Sequence, residues 1–150
     1  YKFARGELDD VPAALEVIRG AGLAAGIAAH NPEVHRWAER QLDVDFYMCS
    51  YYNPTPRDDH PEHRAELREV FDDADRDAMV ETIAGLSKPA IHYKVLAAGR
   101  NDPGEAFAFV AEHLRPSDAV CVGICLDDNP DSIEQNVALL EEHLAAGSGV

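Results

Sequence analysis

Residues 23–38 read LAAGIAAHNPEVHRWA. The first half, Leu23–Ala29, is a short apolar run of strand length, and Asn31-Pro32-Glu33 follows it at once. Asparagine caps the free amides of a helix start, and proline in a first turn forfeits no needed hydrogen bond. Behind them Val34, Trp37, Ala38 and Leu42 fall on one helical stripe. The stretch therefore reads as strand, sharp turn, helix. The same unit recurs. Asp45–Tyr52 is an aromatic-rich strand followed by Asn53-Pro54, and Pro89–Leu96 carries Ile91, Tyr93 and Val95 before Asn101-Asp102-Pro103. Asp118–Cys125 precedes Asn129-Pro130-Asp131. The second unit opens into a longer loop, Thr55 to about His63, before its helix. Further helical stripes are Phe107, Val110, Ala111, Leu114 and Ile133, Val137, Leu140, Leu144. Val11–Arg19 also reads as a helix, with Asp10 as its cap and Pro12 in its first turn. Strands alternating with helices in this way imply a parallel sheet with crossover helices packed on it.

An open nucleotide-binding sheet would carry a glycine-rich turn after its first strand, yet no GxGxxG or GxxxxGK[ST] occurs. Gly20-Ala21-Gly22 precedes a strand and reads as a helix-ending turn. Alternation along the strands points to a barrel instead. Ala24, Gly26, Ala28 and His30 share one face of the first strand; Ala90, His92 and Lys94 share one on the third. On the fourth, Ala119, Cys121, Gly123 and Cys125 lie opposite Val120, Val122 and Ile124. A small or polar face would line a barrel, and a bulky aliphatic one would pack on helices. Four βα units make half of a TIM-type barrel, with helices outside. The expected organisation is one α/β domain over residues 1–150 that needs a missing half or a second copy to close.

Composition bounds the function. At 46% hydrophobic and 27% charged, the 150-residue chain is ordinary for a globular protein. Its formal charge of −15 makes nucleic acid and anionic lipid poor partners. No apolar run approaches the roughly 20 residues that cross a bilayer. Cys49, Cys121 and Cys125 leave one thiol over in any pairing and show no metal-binding spacing, which fits a reduced, cytoplasmic setting. No leader pattern stands at the start, and Tyr1 in place of Met is expected of a processed chain or of a piece of a longer one.

The order LAAGIAAHNPEVHRWAE, DVDFYMCSYYN, KPAIHYKVLAAGR and DAVCVGICLDDNPDSIEQNVALLEEHL resembles the second half of an aldo/keto-reductase-like barrel, over roughly residues 11 to 145. The resemblance implies an oxidoreductase acting on a carbonyl or hydroxyl substrate with NAD(P). It also implies that the family's catalytic tyrosine, lysine, aspartate and histidine belong to the other half of the barrel.

The residues themselves offer candidates. His92 and Lys94, two apart on a strand, are expected to project together, with Lys94 at the carboxyl end where barrel sites are built. A desolvated lysine can serve as a Schiff-base nucleophile, which would make the protein a lyase or isomerase of aldolase type, or it can stay charged and hold an anion. The bland alternative is an ion pair that only fixes packing. His30 ends the first strand and suits acid–base work, or else simply sits in a loop. Tyr47, Cys49, Tyr51 and Asn53 form one strand face and Phe46, Met48, Ser50 and Tyr52 the other. The former is expected at the mouth, with Tyr51 in the pocket and Cys49 near His30 as a thiol nucleophile; a small core residue is the commoner role of cysteine. Arg100 could hold a phosphate or carboxylate beside the free amides of the next helix, or else be a surface arginine; the resemblance implies that it holds the cofactor with Gly99 and Asn129. Cys125 is a weaker thiol candidate, and Cys121 is expected in the core. His60 and His63, with Asp58 and Asp59, form a loop over the mouth more readily than a metal site. His35, His113 and His143 are expected at helix surfaces, and the run Glu66 to Asp77 as a solvated helix face. No glutamate cluster, GxSxG or HExxH is present. A third possibility is a non-catalytic assembly module that pairs through exposed edge strands.

Overall fold

Four parallel strands lie in sequential order in one sheet: β1 (Gly26–Ala29), β2 (Phe46–Ser50), β3 (Ala90–Tyr93) and β4 (Ala119–Cys121). The computed structural model describes residues 2–54 and 70–147. Its helices are α1 (Lys2–Arg5), α2 (Val11–Gly20), α3 (Pro32–Gln41), α4 (Asp73–Ala84), α5 (Pro103–His113) and α6 (Ser132–Gly147). Parallel neighbours in chain order require a crossover between each pair, and α3, α4 and α5 supply them. The loop at 55–63, with His60 and His63, lies outside the described residues.

Two of the anticipated helix starts form as read. Asn31 Oδ1 accepts from the Glu33 amide at 2.9 Å, and the Asp102 carboxylate accepts from the Glu105 amide at 3.1 Å. At the second unit the Asn53 amide donates to Asp75 at 3.0 Å, and Asp72 caps α4. Asn129 closes a turn on the Asp131 amide, so α6 begins only at Ser132. Gly20-Ala21-Gly22 ends α2 with Gly22 in the left-handed region (φ 75°) and its amide on Arg19 O, a conformation glycine adopts without strain.

The core lies between the sheet and its helices. Tyr47, Cys49, Tyr51 and His92 from the strands meet Ala38, Met79, Ile83, Phe107 and Val110 from the helices. This overturns the expected facing of β2 and β3. The Tyr47 hydroxyl donates to Glu39 of α3 at 2.8 Å, and its ring meets His35 edge-on. The Tyr51 ring stands edge-on to Phe109 of α5. On the covered face the two tyrosine rings bury their area against helix side chains and keep partners for their hydroxyls in Glu39 and His92. The other face carries Gly26, Ala28, Phe46, Met48, Ser50, Ile91, Tyr93, Ala119 and Cys121. There the Phe46 ring occupies the space of the Cβ that Gly26 lacks, 2.6 Å from where it would stand.

A repeated device stitches the amino ends of the strands. Asp45, just before β2, accepts from the Ala25 amide at 2.7 Å; Asp118, just before β4, accepts from the Ala90 amide at 2.8 Å. An arginine at a preceding helix end holds each aspartate: Arg19 reaches Asp45, and Arg115 grips Asp118 through Nε at 2.8 Å and a terminal nitrogen at 2.9 Å. Arg115 also donates to Leu86 O and Lys88 O, which ties the entry of β3 to that of β4. The amino end of the sheet is thus committed to stability, and the carboxyl end is left for loops.

Candidate functional site at the carboxyl end

A cleft of about 790 Å³ opens at the carboxyl ends of β3 and β4. Tyr93, Lys94 and Gly99 line it from the β3 side; Cys121, Asp128 and Ser132 line it from the β4 side. Its shape depends on the backbone after β3. Lys94, Ala97 and Ala98 are left-handed, with φ of 61°, 47° and 54°, and Gly99 follows at 79°. His92 points toward the helices and Tyr93 away from them, so strict alternation would send Lys94 back to the helix side. The left-handed turn breaks that alternation, and Lys94 joins Tyr93 in the cleft wall.

Non-glycine residues in this region cost roughly 1–2 kcal/mol each and persist where surrounding contacts over-determine them. Here Ala97 N bonds Lys94 O at 2.9 Å and Gly99 N bonds Leu96 O at 2.8 Å. The Asn101 side-chain amide donates to Val95 O and to the Tyr52 hydroxyl. Ala98 is exposed, so only its backbone opposes the turn. Ala98→Gly is therefore expected to raise the melting temperature by about 2 °C, and Ala98→Val to lower it by more. Thermal unfolding of the two variants checks this; a lower melting point for the glycine variant would refute the strain.

The anticipated site residues separate into two groups. Lys94, Gly99 and Asn129 line the cleft. His30 is exposed on the uncovered face, its ring 6.0 Å from that of Tyr93. Arg100 lies at the rim, its guanidinium 4.4 Å above the Phe71 ring and donating to Ala97 O, while Phe71 itself forms part of the wall. Tyr51, His92 and Cys49 are not at the mouth. His92 is fully buried: Nδ1 accepts from the Tyr51 hydroxyl at 3.0 Å, and Nε2 faces Asp118 at 3.3 Å. Burial lowers its pKa despite the carboxylate beside it, so the ring is a neutral link in the core. The Cys49 thiol, on the covered face away from His30, is pushed up to about 12 by burial and is no thiolate.

Other expectations reverse. Cys121, expected in the core, is exposed and lines the cleft beside Cys125. His35 is buried, and His113 stacks on Phe109, its Nδ1 against Phe109 O at 2.8 Å. Tyr93, Ser132, Arg115 and Asp118 were not singled out. Only Arg115-x-x-Asp118 carried a local signal, an opposite-charge pair three apart at a helix end.

The described residues contain no group of three or more His, Cys, Asp or Glu placed to hold a metal ion. No helix among them is long and apolar enough to cross a membrane.

No protein-family model and no curated protein matches the chain. Among solved structures it is similar to one described as "Putative aldo-keto reductase from Pseudomona aeruginosa", with a TM-score of 0.56 and 21% identity. The fold is that of part of a TIM-type barrel. The match covers 90% of this chain and 45% of the other, so the chain spans less than half the length of that protein.

Proposed function

We propose that the chain is the cofactor-holding second half of an aldo/keto-reductase-like oxidoreductase, a single α/β unit working in the cytoplasm on a small carbonyl or hydroxyl compound. The observation that carries this reading is the cleft itself. A strained, pinned loop, a lysine and an aromatic ring meet at the carboxyl end of a sheet whose fold matches an aldo-keto reductase over nine-tenths of the chain. The donor set fits a dinucleotide. The Lys94 ammonium makes no ion pair among the described residues and suits a pyrophosphate. Tyr93 offers a ring for stacking a heteroaromatic one. Ser132 Oγ, at the start of α6, is buried with no hydrogen-bond partner among the described residues, and a ligand hydroxyl would satisfy it. A bound nicotinamide supplies or accepts hydride. Three unpaired cysteines agree with the cytoplasmic setting.

Binding tests this directly. For the full-length protein, NADH at about a hundred times its Kd should stabilise by about 2.7 kcal/mol, and Lys94→Met should weaken binding at least about tenfold. No thermal shift with NADH or NADPH would end the dinucleotide reading. The solitary Lys94 favours one alternative, a carbonyl lyase or isomerase in which Lys94 forms an imine with loss of water. Borohydride would then fix a carbonyl compound on Lys94, and a peptide mass unchanged at that residue would reject it.

On this reading the chain works together with the other half of a barrel. β1 and β4 are the open edges of the described sheet. Val17 and Leu23 are 74% and 63% exposed in α2 and the turn leading into β1; Ile133 and Val137 are about half exposed in α6 after β4. The remaining half of a barrel, in the same polypeptide or another copy, would cover both flanks. A stable monomer of 16.4 kDa as the native form would defeat that closure and the barrel with it.

A further inference from the structure

We infer that Asp128 makes the cleft selective for a dinucleotide whose adenosine ribose carries a free 2′-hydroxyl, so that NAD(H) is bound in preference to NADP(H). The inference rests on the dinucleotide reading above and adds the identity of the cofactor. It is carried by the charge inventory of the cleft. Of the described residues lining it, Lys94 is the one cation and Asp128 the one anion, and the two come from opposite walls, after β3 and after β4. Arg100 is directed elsewhere, onto the Phe71 ring and Ala97 O. A dinucleotide brings two negative charges in its pyrophosphate, which Lys94 meets only in part. A further phosphate would add nearly two more, and beside Asp128 the described lining offers it no second cation.

The wall around Asp128 is built for hydroxyls. The Asp128 amide bonds back to Cys125 O at 3.3 Å and the Asn129 amide to the same oxygen at 3.1 Å, a tight turn that holds the carboxylate at the cleft edge. That carboxylate makes no ion pair among the described residues. The Asn129 side-chain amide donates to Gln135 Oε1 at 2.9 Å, whereas Ser132 Oγ is buried with no partner among the described residues. An ionised carboxylate only accepts hydrogen bonds, and a serine hydroxyl both donates and accepts. A ribose diol satisfies both groups. A phosphate offers the carboxylate no donor and repels it. At about 6 Å in a water-like dielectric, a dianion facing a carboxylate is disfavoured by about tenfold.

The test uses the full-length protein and binding alone. Titration calorimetry compares NAD⁺ with NADP⁺, and 5′-AMP with adenosine 2′,5′-bisphosphate, for the native protein, Asp128→Asn and Asp128→Ser. NAD⁺ is expected to bind at least about tenfold tighter than NADP⁺ at low salt, with the gap narrowing as salt rises. Each variant should close most of that gap by gaining affinity for the phosphorylated ligand. Two variants of an exposed residue, checked by circular dichroism, guard against a folding defect. NADP⁺ binding as tightly as NAD⁺, or an unchanged ratio in both variants, overturns the selectivity while leaving the dinucleotide reading intact. Binding of neither nucleotide overturns both.

Discussion

Replacing Asp118 with alanine is expected to destabilise the protein by about 4 kcal/mol and to lower its melting temperature by about 10 °C. The carboxylate is fully buried. It accepts from the Ala90 amide at 2.8 Å, from the Arg115 amide at 3.2 Å and from two guanidinium nitrogens of the same residue, and its second oxygen faces His92. Burial opposes its charge, yet Arg115 and the other donors hold its pKa down at about 2. Its loss strands the Arg115 charge, the Ala90 amide and His92 Nε2 together. Removing one partner of a buried pair costs far more than the pair is worth, because the survivors keep their desolvation. Asp118→Asn should fall between, since an amide oxygen still accepts from Ala90 but does not compensate the guanidinium. Denaturant unfolding of both variants measures this, and an alanine variant within about 1 kcal/mol of the parent would show that the network does not hold β3 to β4.

Acidification from pH 7 to pH 4 should remove about 3 kcal/mol of stability. Burial pushes the pKa of His35 down to about 4, although the Ala29 carbonyl favours its protonated form. The distance of 3.2 Å from His35 Nε2 to Ala29 O makes that nitrogen the donor, so the neutral ring leaves Nδ1 buried without a proton or a partner among the described residues. In the unfolded chain the ring titrates near 6.5. Between that value and about 4 the unfolded state takes up a proton that the folded state refuses. The contribution is complete above pH 6.5 and is lost as pH falls through this window. His92, also lowered by burial, acts in the same direction. Asp118 adds its own loss only below about 3.8, as pH falls toward 2. Urea midpoints at pH 7.5 and 4.5 decide the matter. His35→Gln should flatten the slope, and a parent midpoint that does not move between the two would show that His35 is not held neutral.

The unequal legibility of the chain has a physical cause. Asn31-Pro32 and Asp102-Pro103 announce helix starts within three residues, and an alternating or 3.6-residue stripe announces its element within one window. These signals are local, so α3, α5 and the parallel order of the strands were readable from the residues alone. Asp72 was a cap of the same kind, hidden in a run of acidic residues where any could have served.

Facing is a different matter. A period of two divides Tyr47, Cys49 and Tyr51 from Phe46, Met48 and Ser50, but it does not say which set meets the helices. That choice belongs to the packing, where Tyr47 reaches Glu39, Tyr51 meets Phe109, and His92 is held between Tyr51 and Asp118. Polarity misled because these polar atoms are satisfied inside the core by partners 8 to 41 residues away. Lys94 shows the same limit from the other side. Its place in the cleft rests on one left-handed residue after β3, which no alternation rule anticipates. The order of strands and helices was thus determined by the sequence, because caps and periods act between near neighbours. The composition of the cleft was decided only by the tertiary structure, because it depends on which face gains more from burial and on a backbone turn held by distant hydrogen bonds.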